Sequence, residues 1–205
     1  MRLYHHPYSF NARRAVMAAL HLKAPVELVF VDLQKGEQRT PQFLALNPNH
    51  RVPVLEDDGF ILWESHAIMQ YLADKTPRQT VYPAETRARA DVNRWLFWSG
   101  QHFSPAIGVL NWEHAIKRLL GLGAPDPAEV RRGEQLVREF AGVLDAHLAG
   151  RDWICGDALS LADFAVASPL AATVPAKLPV AELSNVQRWF AQVQKLEAWQ
   201  RTALP

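Results

Sequence analysis

The hydrophobic period of this chain changes once, near Lys75, and that change restricts the fold more than any other feature. Before it, segments of period two alternate with segments of helical period. Arg2 to His5 reads as a short strand. Asn11 to Leu22 places Ala12, Ala15, Val16, Ala19 and Leu20 at helical spacing. Val26 to Leu33 is a β-branched run between Pro25 and Gln34-Lys35-Gly36, and Pro41 to Leu46 a helical turn. Val52 to Glu56 and Phe60 to Trp63 read as strands joined by the hairpin signal Asp57-Asp58-Gly59. Ser65 to Asp74 is helical again. The order β-α-β-α-β-β-α begins with a βαβ unit, which requires a right-handed crossover and a parallel pair, and the hairpin then adds antiparallel strands.

After Lys75 no strand pattern survives. Residues 77–84, with Pro77 and Pro83, form a polar linker between a first domain, 1–76, and a helical second domain, 85–205. Long helices are predicted from Glu85 to about Leu110 and from Ala128 to Leu148, broken by Gly121 to Pro127. Leu161 to Leu170 and Leu183 to Lys195 follow, with a short turn from Glu197. Ser160-Leu161-Ala162-Asp163 sets a hydroxyl residue three positions before an acid, a capping-box variant. The fold class is therefore α/β plus all-α, with no internal repeat.

Bulk composition excludes several function classes. With 205 residues, a net charge of +1 and 21% charged residues, the chain has no general field to attract nucleic acid or an anionic membrane. Any anion site must be local. The N-terminal Met1 to Pro7 has no long apolar core, so no secretory signal is expected, and no apolar tract is long enough to span a bilayer. A single cysteine, Cys155, excludes an internal disulfide and suits a reducing cytoplasm. His5 and His6 fall on opposite strand faces without an acid or cysteine at ligand spacing, so no metal is expected. His50, His66 and His102 read as structural or exposed. Trp98, His102, Phe103, Ile107 and Trp112 cluster in sequence and either line a cavity or fill a core.

Two neighbouring segments carry chemistry. In Asn47-Pro48-Asn49-His50-Arg51-Val52-Pro53-Val54-Leu55, a proline at the strand entrance cannot donate to a ladder, which leaves Val52 free to pair with something extended. In Trp63-Glu64-Ser65-His66-Ala67-Ile68, a small hydroxyl residue begins a helix, whose unpaired N–H groups and partial positive charge suit a carboxylate. A backbone-pairing site beside a carboxylate site points to a small acidic peptide.

These segments, with Gly156 to Asp163, resemble motifs of the cytosolic glutathione transferases: NPxxKVPxL, (E/Q)S-x-AI and G-x-x-x-S-x-A-D. The likeness covers nearly the whole chain and is to serine-type, theta-like members of bacterial kind. It implies a thioredoxin-like first domain followed by a helical bundle, a homodimer, and transfer of the glutathione thiolate to an apolar electrophile. Another glutathione-dependent reaction (peroxidase, isomerase or reductase) and a non-catalytic binding module remain alternatives. The resemblance further implies a cis Val52–Pro53 bond, Val52 paired with the cysteinyl backbone, Ser65 and Glu64 on the γ-glutamyl group, and Arg51 on the glycyl carboxylate. Gln38 or Arg39 would reach the same end. Three donors compete for the sulfur: Ser9, which fits P-x-S-x-x-x-R, then Tyr8 and Asn11. Ser9 also fits a plain helix cap. Arg13 would add positive field. The second substrate would lie against the long helix.

Overall fold

The computed structural model describes residues 1–203. Two compact units form: Met1–Tyr82 with residues 195–203, and Pro83–Gln194.

In the first unit, β1 (Arg2–His5) is followed by α1 (Phe10–His21), β2 (Glu27–Phe30) and a 3₁₀ turn at Glu37–Arg39. Next come α2 (Pro41–Leu46), β3 (Val54–Asp57), β4 (Phe60–Trp63) and α3 (Ser65–Lys75). The sheet order is β2-β1-β3-β4, with β1 parallel to β2 and antiparallel to β3. This is the topology that the βαβ-plus-hairpin pattern predicts. Asp58 and Gly59, both at positive φ, turn the hairpin. Leu3 and Leu55, paired across β1 and β3, are fully buried, as are Ala12, Ala15 and Met17 of α1 and Ile68, Met69 and Leu72 of α3. The strands are shorter than the apolar runs suggest. Val31 is buried past the end of β2, and Val52 lies before β3, because Pro53 cannot extend the ladder.

Helix ends follow local chemistry. The Ser9 side chain accepts from the Ala12 N–H and starts α1. At its other end Lys23, at φ 52°, closes the helix as the Ala24 N–H bonds back to the Ala19 carbonyl. Thr40 caps α2, with Pro41 in the first turn.

The sequence reading runs the helical domain to residue 205. The structure instead gathers the chain from Lys195 with the first unit. There α10 (Glu197–Gln200) packs on α1. Arg13 holds it: the guanidinium lies 3.8 Å from the Trp199 ring centroid, and donates to the Trp199 carbonyl at 3.2 Å and to the Thr202 hydroxyl at 3.1 Å. Arg13 is thus a buried tie, not an exposed helix charge. Its burial pulls its pKa down to about 10.

The second unit is helical throughout its described residues. A continuous helix runs from Thr86 to Leu119, past the expected end near Leu110, with two π turns. Its α segments are α4 (Thr86–Trp98), α5 (Ser104–Asn111) and α6 (Lys117–Leu119), and the π turns are Ser99–Phe103 and Trp112–Ile116. An extra residue in a π turn shifts the inward face. The first turn brings Ser99 inward, where its hydroxyl donates to the Ala165 carbonyl at 3.0 Å. The second buries Glu113, which accepts from Lys117 Nζ at 2.6 Å and from the Asp126 N–H at 2.7 Å. These donors hold its carboxyl below the usual range. Gly121, at φ 65°, ends the helix.

Then follow α7 (Pro127–His147), α8 (Leu161–Ala167), a 3₁₀ turn at Ser168–Ala172 where Pro169 halts α8, and α9 (Ser184–Val193). Asp145 of α7 caps α9 by accepting from the Asn185 and Val186 N–H groups. Asp163 stands where the capping signal places it and does more than cap. One oxygen accepts from the Ser160 N–H and hydroxyl; the other accepts from the Ile154 N–H at 3.0 Å and Trp189 Nε1 at 2.9 Å.

Two stability predictions follow from these contacts. Asp163→Ala strands buried donors, each costing about 1–3 kcal/mol, so chemical denaturation should show a loss of about 3 kcal/mol or more. Within α7, a Cβ on Gly133 would meet Leu110 at 2.8 Å and Val109 at 3.0 Å, whereas one on Gly142 meets nothing within 4 Å. Gly142→Ala should therefore stabilise by about 0.5–1 kcal/mol, while Gly133→Ala should destabilise by about 1–3 kcal/mol despite the same gain in helix propensity.

Candidate functional site

One register assembles the site. Tyr4 pairs with Val54 and Val54 with Trp63, so the C-terminal end of β1, the N-terminal end of β3 and the C-terminal end of β4 lie side by side. The parallel pair His5–Phe30 brings the end of β2 to the same edge. Everything that leaves or enters the sheet there must meet: residues 6–11 after β1, residues 31–40 after β2, Val52-Pro53 before β3 and Glu64-Ser65 after β4. A buried cluster of Ala12, Val31, Phe43, Val52 and Val54 packs these segments together.

The turn before β3 is braced from within. Asn47 Nδ2 donates to the Arg51 carbonyl at 2.7 Å, and Asn47 Oδ1 accepts from the Asn49 N–H at 3.0 Å. The Val52–Pro53 bond is cis, as expected. The Val52 side chain is buried, yet among the described residues its backbone N–H and C=O have no hydrogen-bond partner. They are the free pairing groups that the sequence predicts. Arg51 is exposed and makes no ion pair with any described residue.

The turn after β4 ends in strain. Glu64 adopts φ 74°, ψ 111° as the N-cap residue of α3, and its side chain makes no capping bond. A non-glycine residue there costs on the order of 1–3 kcal/mol, and such strain gathers at binding sites. The N–H groups of Ser65, His66 and Ala67 have no backbone partner among the described residues. Ser65 is buried and its hydroxyl is likewise unpartnered among them. A helix of eleven residues thus presents uncapped N–H groups and one hydroxyl, an anion-binding arrangement.

The three candidate donors differ in setting. Ser9 is half-buried, and its oxygen accepts the Ala12 N–H at 3.2 Å. This capping bond uses a lone pair and leaves the hydroxyl proton free to donate. Both readings of Ser9 are therefore compatible. Asn11 is exposed in the first turn of α1. Tyr8 is 49% exposed, with its ring 5.7 Å from that of His6. Gln38 donates to the Leu33 carbonyl at 3.4 Å, while its Oε1 is buried without a partner.

The structure also brings in Arg14, which sequence reasoning passed over, and His66, which it left as structural or exposed. Arg14 is fully buried, and its Nη1 lies 2.5 Å from His66 Nε2. His66 is no exposed histidine: burial and the Arg14 charge push its pKa down to about 3. The usable signal was the pair Arg13-Arg14 inside an otherwise apolar helical run.

In the second unit the aromatic candidates separate. Phe103 and Ile107 are fully buried core residues, and Trp98 stacks on Phe103 at 5.2 Å. His102 is exposed, its ring 5.2 Å from Phe140, and Trp112 is 45% exposed.

Residues 1–74 match the family described as glutathione S-transferase, N-terminal domain, and residues 127–192 the glutathione S-transferase, C-terminal domain. Glutathione S-transferase 3 of Zea mays is 34% identical over 98% of this chain and 92% of its own length. The crystal structure of glutathione transferase F7 from Populus trichocarpa superposes with a TM-score of 0.90 at 28% identity, over 98% of this chain and 97% of that one. Glutathione S-transferase I bound with lactoylglutathione superposes with a TM-score of 0.88 at 25% identity, over 98% and 97% of the two chains. With both domains matched, and full-length relatives at this identity, the chain belongs to the glutathione S-transferase family.

Proposed function

We propose that this protein is a glutathione S-transferase that joins the glutathione thiolate to an electrophilic, apolar small molecule. The observation that carries the reading is the unpaired backbone of Val52 beside the uncapped start of α3. An extended tripeptide completes the first by backbone pairing and the second by its γ-glutamyl carboxylate. In this reading Ser65 and the adjacent N–H groups bind that carboxylate, and Glu64 faces the γ-glutamyl ammonium. Arg51, with no competing ion pair among the described residues, meets the glycyl carboxylate, where a guanidinium can bind with two parallel bonds. Gln38 lies on the connection from β2 to the same edge.

The chemistry requires a thiolate. A free thiol, with pKa near 8.5, is mostly protonated at pH 7. Ser9 is the favoured donor: its oxygen is fixed by the Ala12 N–H, so its proton can point to the sulfur, and the start of α1 adds positive potential. Asn11 and Tyr8 are the competing donors. The sulfur then attacks an electrophilic carbon; the thiol proton goes to solvent, a C–S bond forms, and a leaving group departs or the adduct is protonated. Disulfide chemistry is disfavoured. Burial and nearby carboxylates push the Cys155 thiol up to about 12, which makes it a poor nucleophile. That single inert thiol also favours a reducing cytoplasm. A homodimer is part of the same proposal: edge strand β4 exposes Phe60 and Trp63, an apolar surface suited to a second copy.

Turnover of glutathione with a chlorodinitroarene, with calorimetric glutathione binding, tests the reading. No binding at millimolar glutathione would reject it. Ser9→Ala should raise the bound thiol's pKa by about 1–2 units, so kcat/KM should fall by about 10- to 100-fold at pH 6.5 and recover near pH 9. Loss in Asn11→Ala instead would move the role there. Arg51→Ala should weaken glutathione by about tenfold while leaving affinity for the glycyl-amide analogue nearly unchanged, because the amide cannot form the charged pair.

A further inference from the structure

We propose that the fully buried Arg14 and the half-buried His66 form a positioning pair that sets the carboxylate-binding turn at Glu64–Ser65, so that Arg14 governs ligand affinity from behind the site. The inference rests on the reading of that turn as the γ-glutamyl site, and it adds Arg14, together with His66 at the variable position of the (E/Q)S-x-AI motif.

The geometry fixes the chemistry of the contact. Arg14 Nη1 lies 2.5 Å from His66 Nε2. A guanidinium can only donate, so Nε2 must carry a lone pair and the ring proton must sit on Nδ1. His66 is therefore neutral. Burial and the Arg14 charge act in the same direction on its pKa and keep the ring an acceptor at neutral pH. The bond ties α1 to the first turn of α3, one residue past Ser65. Through it the His66 ring is held from the interior, and the Ser65 and His66 N–H groups keep their direction.

Two further observations give the tie its purpose. Glu64 is held at φ 74°, a conformation that a loose turn would relax. And Arg14 is fully buried, a costly place for a charge; the Glu64 carboxylate favours the charged form and burial opposes it, lowering the pKa to about 9. A cation at that position adds its attraction to that of the helix start for an anion bound there. Arg14 is a positioning residue because it reaches the turn through His66.

The test uses the full chain with glutathione and a chlorodinitroarene. Arg14→Met and His66→Phe should each raise KM and the calorimetric Kd for glutathione by about tenfold. The KM for the arene and kcat at saturating glutathione should be unchanged. His66→Gln, whose Oε1 can reach the position of Nε2 as an acceptor, should recover most of the affinity lost in His66→Phe. The double variant should be no worse than Arg14→Met alone, since the bond to His66 is already lost in that variant. Should Arg14→Met fail to fold, the Phe and Gln variants of His66 decide alone. Unchanged glutathione KM, or a fall in kcat with KM constant as lost folded enzyme would give, overturns the pair. An unsubstituted chain that binds no glutathione overturns the functional reading and this inference with it, whereas one that binds but is indifferent to these substitutions overturns the pair only.

Discussion

Pairing of Tyr4, Val54 and Trp63 across three strands is the constraint on which the binding edge depends. Because β3 runs antiparallel to β1 and β4, its beginning lies beside their ends. Every segment that carries a candidate side chain leaves or enters the sheet at that edge. A slip of one residue in this register would turn each strand's side chains to the opposite face and break up the cluster of Ala12, Val31, Phe43, Val52 and Val54. The hairpin turn at Asp58-Gly59 fixes that register locally, and Leu3 against Leu55 fixes it by burial.

Positive charge is used twice on α1, in two directions. Arg13 and Arg14 are adjacent, so about 100° of helix rotation separates them. Arg13 stacks on Trp199 and clasps the C-terminal helix; Arg14 points into the interior and meets His66. In each case a buried guanidinium is matched to a fixed acceptor, a backbone carbonyl and hydroxyl in one and a neutral imidazole in the other. The second unit uses carboxylates in a similar way. Asp163, Asp145 and Glu113 each collect N–H donors from segments distant in sequence, which joins helices at their ends where backbone groups would otherwise be unpaired.

The binding edge itself is defined by what the protein leaves unsatisfied. Among the described residues Val52 keeps its backbone groups free because Pro53 ends the ladder. The start of α3 is uncapped because Glu64, at positive φ, does not fold its side chain back over the helix. Among the described residues Ser9 is satisfied as an acceptor but not as a donor. Unpaired groups in this arrangement are stable only when water or a ligand meets them, and their spacing along an extended segment suits a peptide.

Local pattern determined the element order, the hairpin, the caps at Ser9 and Ser160 and the free backbone at Val52, since each depends on residues within a few positions of one another. Tertiary structure alone decided the rest. Two π turns rephase the long helix and bury Glu113, which a steady 3.6-residue period does not show. The chain after Lys195 joins the first unit because Arg13, about 186 positions earlier, holds Trp199. Phe103 and Ile107 became core rather than cavity lining once α7 packed over α5. The Arg14–His66 contact spans 52 positions, so no local spacing marks it. Sequence spacing encodes which groups can satisfy themselves locally, but burial and long-range partners exist only when distant segments have packed.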